Sequence, residues 1–167
     1  MEDYPLVIFA ENPTPLPLNI LFDALVLEGH PVHFSFGIAG EATAADLAST
    51  EWDTAFLRWT EPELHEICLL EAISVTETEA QETLNSFEKL ISKNPDKAGQ
   101  LIVQNQLRQT KTIYGIQLLP ALIENEDHLA WEALDLLARS LAQNTDGMIY
   151  AEAEGFCDAE GELMLAE

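Results

Sequence analysis

Residues 111–156 read KTIYGIQLLPALI, ENEDHLAWEALDLLARSLAQ and NTDGMIYAEAEGF in succession, and this stretch decides the fold. The first apolar run predicts a strand over Thr112–Leu119, which Pro120 ends because proline has no N–H for a strand ladder. Leucines at helical spacing predict a helix over Glu126–Gln143. An Asn-Thr-Asp-Gly turn then leads into a predicted strand over Met148–Ala151. The segment is therefore a β-α-β unit.

Two side-chain patterns refine the central helix of this segment. Asn125 is placed to act as its N-cap, because a short polar side chain can accept a hydrogen bond from the first turn. Trp131 and Ala138 widen its leucine stripe, so both are predicted to face the core.

A second β-α-β unit precedes the first in the chain. Apolar residues predict a strand over Leu6–Ala10 and a helix over Leu18–Glu28, joined by a proline-rich loop. Alternation of apolar and polar residues predicts a strand over Pro31–Gly37. Two further predicted strands, Thr54–Thr60 and Glu66–Val75, are too close in sequence for a crossover helix, so we expect them to pair antiparallel.

The remaining elements are a helical pair and a hairpin. Thr76 and Glu79 have the spacing of a capping box, which predicts a helix behind them. Asn94 precedes a proline and is predicted to cap the next helix, although QLIVQ within that helix would also fit a strand. Turn residues near the end of the chain predict a hairpin with arms Phe156–Asp158 and Glu162–Leu165.

These patterns predict a single α+β domain over residues 1–167. We expect a mixed or antiparallel sheet with helices packed on one face and ferredoxin-like β-α-β elements. The alternative is an α/β doubly wound sheet, which the antiparallel pair argues against.

The charge balance is the most unusual feature of the composition. Thirty acids oppose seven bases, for a formal net charge of −23, and five of the bases lie between Lys89 and Lys111. Such a field repels nucleic acid and anionic membranes, so neither is an expected partner. It favours a basic protein partner or cations, although strong charge also simply keeps a protein soluble.

The compartment is predicted from cysteines and from apolar runs. Cys68 and Cys157 are too few for a disulfide framework, so both are expected to be free thiols. No apolar run approaches the roughly 20 residues of a membrane span. Residues 1–13 lack the basic region of a secretory signal, and the prediction is a cytoplasmic protein.

Recognised catalytic motifs are absent from the sequence. It contains no phosphate-binding loop, dinucleotide fingerprint, nucleophile elbow or paired C-x-x-C motif, and no cofactor or metal is predicted. His65 lies among Glu63, Glu66 and Glu71, which would suit an acid–base group, but an exposed histidine in a polar connection fits equally. The acidic C-terminal stretch lacks the spacing of an EF-hand and is expected to be a solvated hairpin.

One patch is predicted as a ligand or partner surface. If the strands Thr112–Leu119 and Met148–Ala151 are neighbours, their tyrosines line one surface, and aromatic side chains of this kind anchor interfaces. The turn and the acidic tail lie where the second strand begins and ends. The predicted patch comprises Tyr114, Asp146, Tyr150, Glu152, Glu154 and Asp158.

Three classes of function remain open from the sequence. The favoured one is a non-catalytic protein-binding or regulatory module, of the inhibitor or immunity-protein type, that covers a basic partner. The second is an enzyme with a carboxylate or histidine site of an unfamiliar kind. The third is a structural protein that forms homo-oligomers.

Overall fold

The computed structural model describes residues 4–37, 40–61, 65–119 and 128–167. Within these ranges the chain forms eight strands and five helices. In chain order they are β1 (Leu6–Ala10), α1 (Leu18–Leu27), β2 (Val32–Ser35), α2 (Ala44–Ala48), β3 (Thr54–Trp59), β4 (His65–Ser74), α3 (Thr78–Lys93), α4 (Lys97–Gln109), β5 (Thr112–Leu118), α5 (His128–Asn144), β6 (Met148–Ala151), β7 (Gly155–Cys157) and β8 (Leu163–Ala166).

The strands form one sheet in the order β2-β3-β4-β5-β1-β6-β7-β8, and every neighbouring pair is antiparallel. The α+β class is therefore confirmed, as is the antiparallel pairing of β3 with β4. β1 lies inside the sheet with Val7–Ala10 buried on both faces. Its sequence LVIFA has no polar residue because neither face of the strand meets solvent.

The unit β5-α5-β6 has a split β-α-β arrangement. Both strands pair antiparallel with β1, so they run parallel to each other with β1 between them. This is the ferredoxin-like element that was predicted. In the other unit β2 lies at the edge of the sheet, with three strands between it and β1.

Helices cover both faces of the sheet, whereas the prediction placed them on one face. α1 and α5 pack over one core that contains Ile8, Phe34 and Leu57. α3 and α4 pack over a second core that contains Val7, Phe9 and Ile113. The physical reason is that neighbouring residues of a strand point to opposite faces, and β1 and β5 are apolar at both sets of positions.

Two predicted helix caps differ in the structure. α3 begins at Thr78 after Glu77, so the predicted capping box at Thr76 and Glu79 does not form. The cap of α4 is Asp96, whose carboxylate accepts hydrogen bonds from the N–H groups of Ala98 and Gly99, instead of Asn94. α4 is a helix through QLIVQ, as predicted. The predicted N-cap of α5, Asn125, lies outside the described residues.

The predicted C-terminal hairpin forms as β7–β8, with arms shifted by one residue, and the structure shows that it extends the sheet beyond β6. It packs against α4, where Gly99 lies close to Leu165 and Met164. Among the helices in the described part of the chain, none combines the length and apolar character needed to cross a bilayer.

Candidate functional site

The two tyrosines of the predicted patch lie on opposite faces of the sheet. Tyr114 pairs across the ladder with Ile8, whereas Tyr150 pairs with Val7. Neighbouring strand residues face opposite ways, so the two rings belong to different cores. The prediction depended on β5 and β6 being neighbours, and β1 lies between them.

Tyr114 anchors the proline-rich loop between β1 and α1. Its hydroxyl accepts hydrogen bonds from the Leu16 N–H at 2.9 Å and the Asn12 amide at 3.0 Å. The Trp52 indole N–H donates to the Leu16 carbonyl from the other side at 2.9 Å. Tyr114 is fully buried, so the structure gives it a packing and bonding role inside the protein.

Removing this hydroxyl should destabilise the fold measurably. In Tyr114→Phe the buried Leu16 N–H loses its acceptor, which costs about 1–3 kcal/mol. Tyr150→Phe is the matched control, because the Tyr150 hydroxyl donates to the exposed carboxylate of Glu167 and its loss should cost less than about 1 kcal/mol. Urea unfolding followed by circular dichroism measures the free energy of unfolding of both variants. Equal decreases in the two would contradict the anchoring role of the Tyr114 hydroxyl.

The acidic members of the predicted patch are also separated. Asp146 is exposed in the turn before β6, where its backbone carbonyl accepts a hydrogen bond from Gln106. The Asp158 carboxylate accepts hydrogen bonds within its own turn, from the N–H groups of Glu160 and Glu162. Glu152 and Glu154 lie together and exposed in the β6–β7 turn. Of the six predicted residues, these two border the same concave surface, whereas Tyr150 lines a separate and smaller one beside Phe87.

That surface is a groove of about 400 Å³ between α5 and the strands β6 and β7. We call it the α5 groove. Its apolar lining consists of Leu6, Leu118, Trp131, Leu134, Ala138 and Ile149. Its polar lining includes Asp135, Arg139, Glu152 and Glu154, with the Cys157 thiol beside them. An apolar surface with a few polar groups at its border is the usual character of a binding site.

The apolar lining combines buried side chains with one exposed tryptophan. Leu134, Ala138 and Ile149 are buried at the bottom of the groove. Trp131 stands at its side with 43% of its surface exposed, although the helical pattern predicted it in the core. The sequence signal for this exposure was weak: Trp131 lies at the margin of the leucine stripe, where a residue can face either the core or solvent.

Hydrogen bonds fix the backbone of the β6–β7 turn, which carries the two groove glutamates. The Glu152 N–H donates to the Pro5 carbonyl at 2.9 Å, and the Glu154 N–H donates to the Ala151 carbonyl at 3.1 Å. Ala153 between them has a φ of +66° and donates its N–H to the Glu167 carboxylate at 2.9 Å. On the opposite wall Arg139 forms an ion pair with Asp135 one turn away, so that arginine is already neutralised.

Neither cysteine thiol has the lowered pKa that is typical of a nucleophilic cysteine. Burial raises the pKa of Cys157, and Glu154 and Asp158 raise it further. Burial also raises the pKa of Cys68 to about 12. A thiol is a nucleophile as the thiolate, so both groups are held in their unreactive form at neutral pH. Both are free thiols, as predicted.

Two of the three carboxylates predicted near His65 have hydrogen-bond partners of their own. Glu66 accepts a hydrogen bond from Arg58 at 2.9 Å, and Glu71 accepts one from the Tyr4 hydroxyl. Glu63 lies outside the described residues. Across the described ranges, no group of three or more His, Cys, Asp or Glu side chains is arranged to hold a metal ion.

All three tyrosines of the chain have a raised pKa. Burial is the largest cause in each case; Glu71 adds to it at Tyr4, and Glu167 brings the pKa of Tyr150 to about 12. Because the folded state favours the neutral phenol, this stabilisation is complete below pH about 10, the value in an unfolded chain. It is lost as the pH rises through the folded pKa values, which for Tyr150 means between about 10 and 12.

These raised pKa values predict that the tyrosines of the folded protein ionise at a higher pH than those of the unfolded chain. At pH 10 the native protein should show far less than half of the tyrosinate absorbance of the same protein in urea. A spectrophotometric titration in both solvents measures the difference, with a circular dichroism signal to confirm that the chain is still folded. Coincident native and denatured curves would contradict the burial of these hydroxyls.

Neither a protein-family model, nor a curated protein sequence, nor a solved structure matches this chain. The class of protein is therefore described from its own fold and groove. It is an acidic α+β protein whose described residues form an eight-stranded antiparallel sheet and an apolar groove bordered by carboxylates.

Proposed function

We propose that this protein is a non-catalytic binding module that recognises a basic partner protein, in the manner of an inhibitor or immunity protein. The observation that carries the proposal is the segregation of charge along the fold. Residues 78–109, which form α3 and α4, hold four bases and four acids, so the net charge of −23 belongs to the rest of the chain.

Outside the α3–α4 hairpin few cations are free to neutralise the acids. Both arginines there are already engaged, Arg58 with Glu66 and Arg139 with Asp135. The acids of residues 41–61 and 152–154 are exposed. A surface of one sign steers an oppositely charged protein into contact and selects against partners of like charge.

The test is capture of a partner whose binding depends on salt. The 167-residue chain is immobilised and exposed to extracts of its source cells at low ionic strength. We expect retention of a basic protein that elutes as salt rises, because screening weakens a charge-driven contact. The purified partner should then bind in solution with an affinity that falls with salt, and an inhibitor should suppress any enzymatic activity the partner has.

A second bait separates specific capture from simple charge attraction. Glu41→Gln, Glu51→Gln and Asp53→Asn together remove three exposed acids from the β2–β3 connection. The amount of a specific partner retained will differ between this bait and one with three acids removed elsewhere. A nonspecific polycation will be retained equally by both. Recovery of the free chain alone, or of partners that salt does not release, would overturn the proposal.

A further inference from the structure

We infer that the α5 groove is the docking site for an amphipathic segment of the basic partner, one that carries large apolar side chains flanked by Lys or Arg. This inference rests on the proposed function and adds to it where the partner binds and what part of it is recognised.

The shape of the groove fits a short stretch of polypeptide. Its α5 wall extends from Trp131 to Arg139, a rise of about 12 Å along the helix. That length matches about two turns of a bound helix, and laying an apolar helix face into an apolar groove is a common recognition mode. A volume of about 400 Å³ accommodates apolar side chains but not a folded domain.

The apolar lining supplies the anchor. Trp131 is large, rigid and 43% exposed, whereas the chain's other two tryptophans, Trp52 and Trp59, are 7% and 4% exposed. Tryptophan is enriched among the residues that dominate binding energy at interfaces. Leu118 and Leu6 line the same groove and are half-buried, so an entering side chain would complete their burial.

The negative charge that borders the groove favours a segment that carries Lys or Arg. Glu152 and Glu154 border the groove on a turn fixed by backbone hydrogen bonds, so the backbone that carries them needs little ordering when a cation arrives. Arg139 across the groove is paired with Asp135 and leaves the local balance negative. Residues 151–167, which continue from this border, hold six acids and no base. A second copy of this chain is disfavoured as the occupant, because each copy has a net charge of −23.

The probe is a synthetic peptide of about 16 residues with Leu and Phe on one helical face and Lys on the other. Trp131 is the natural reporter, because it is the exposed tryptophan of the chain and its emission should shift to the blue as the peptide covers it. Two control peptides are a scrambled sequence of equal charge and a version with Glu in place of Lys. We expect the designed peptide to bind at least about tenfold tighter than the scrambled one.

Variants locate the binding on the protein. Binding is followed by calorimetry, which needs no tryptophan. Trp131→Ala should weaken it about 30-fold, the effect of a hot-spot residue. Leu101→Ala, at a 59% exposed leucine of α4, should leave it unchanged. The pair Glu152→Gln and Glu154→Gln should weaken it about tenfold, whereas Glu77→Gln with Glu82→Gln makes the same change of net charge near α3 and should have little effect.

The outcomes separate this inference from the proposed function. If basic partners bind but the groove variants and their controls lose affinity equally, the docking site is elsewhere and the proposed function stands. If neither the peptide nor any basic protein binds at low salt, the proposed function also fails. Self-association in light scattering that Trp131→Ala abolishes would overturn the inference in favour of a second copy as the occupant.

Discussion

Replacement of Phe87 by alanine should lower the free energy of unfolding by about 3–5 kcal/mol, the range for truncating a large buried aromatic side chain. Phe87 lies on α3, is 4% exposed and contacts three aromatic rings of the sheet. Its ring centroid is 5.0 Å from Phe9, 4.7 Å from Tyr150 and 6.0 Å from Phe156, all close to edge-on. Its loss therefore opens a cavity beneath the α3–α4 hairpin.

Urea unfolding measures this effect, and a thermal scan should show a midpoint lower by roughly 10 °C for a chain of this length. Phe87→Leu keeps most of the apolar volume and should lose about 1–2 kcal/mol, mainly the edge-on ring contacts. Leu101→Ala on the exposed side of α4 should change stability by less than about 0.5 kcal/mol. A loss below about 1.5 kcal/mol for Phe87→Ala would contradict its place at the centre of this core.

Alanine at Gly155 should be almost as damaging, for a different reason. Gly155 has a φ of +117°, and a Cβ atom at this position would lie 2.2 Å from the Leu165 carbonyl oxygen of β8. Backbone strain of about 1–3 kcal/mol is then joined by about 1–3 kcal/mol of steric displacement, so we expect a total loss near about 4 kcal/mol.

Gly29→Ala is the matched control for this substitution. Gly29 has a φ of +84°, but a Cβ atom there would have no neighbouring atom within 4 Å, so that variant bears the strain without the clash. It should lose about 1–2 kcal/mol. Amide exchange at Leu165 should rise sharply in Gly155→Ala and stay unchanged in Gly29→Ala. Similar stability losses in the two variants would show that β8 yields easily to a Cβ at this position.

Local sequence patterns were sufficient to predict most of the helices and strands and the fold class. Apolar stripes at helical spacing predicted α1 and α5, and continuous or alternating apolar runs predicted β1, β3, β5 and β6, because the 3.6- and 2-residue periods are imposed by backbone geometry. The antiparallel β3–β4 pair followed from a connection too short for a crossover helix. The caps of α3 and α4 were missed, because several nearby polar residues can cap a helix and packing selects among them.

The candidate site depended on strand order, which local patterns do not contain. The sequence determined that Tyr114 and Tyr150 lie on strands and that Glu152 and Glu154 follow β6. Only the tertiary structure decided that β1 inserts between β5 and β6, that its register places the tyrosines on opposite faces, and that the two glutamates line the same groove as Trp131. The physical reason is that periodicity reports whether a residue is buried, whereas the partner across the ladder is set by contacts between residues far apart in the chain.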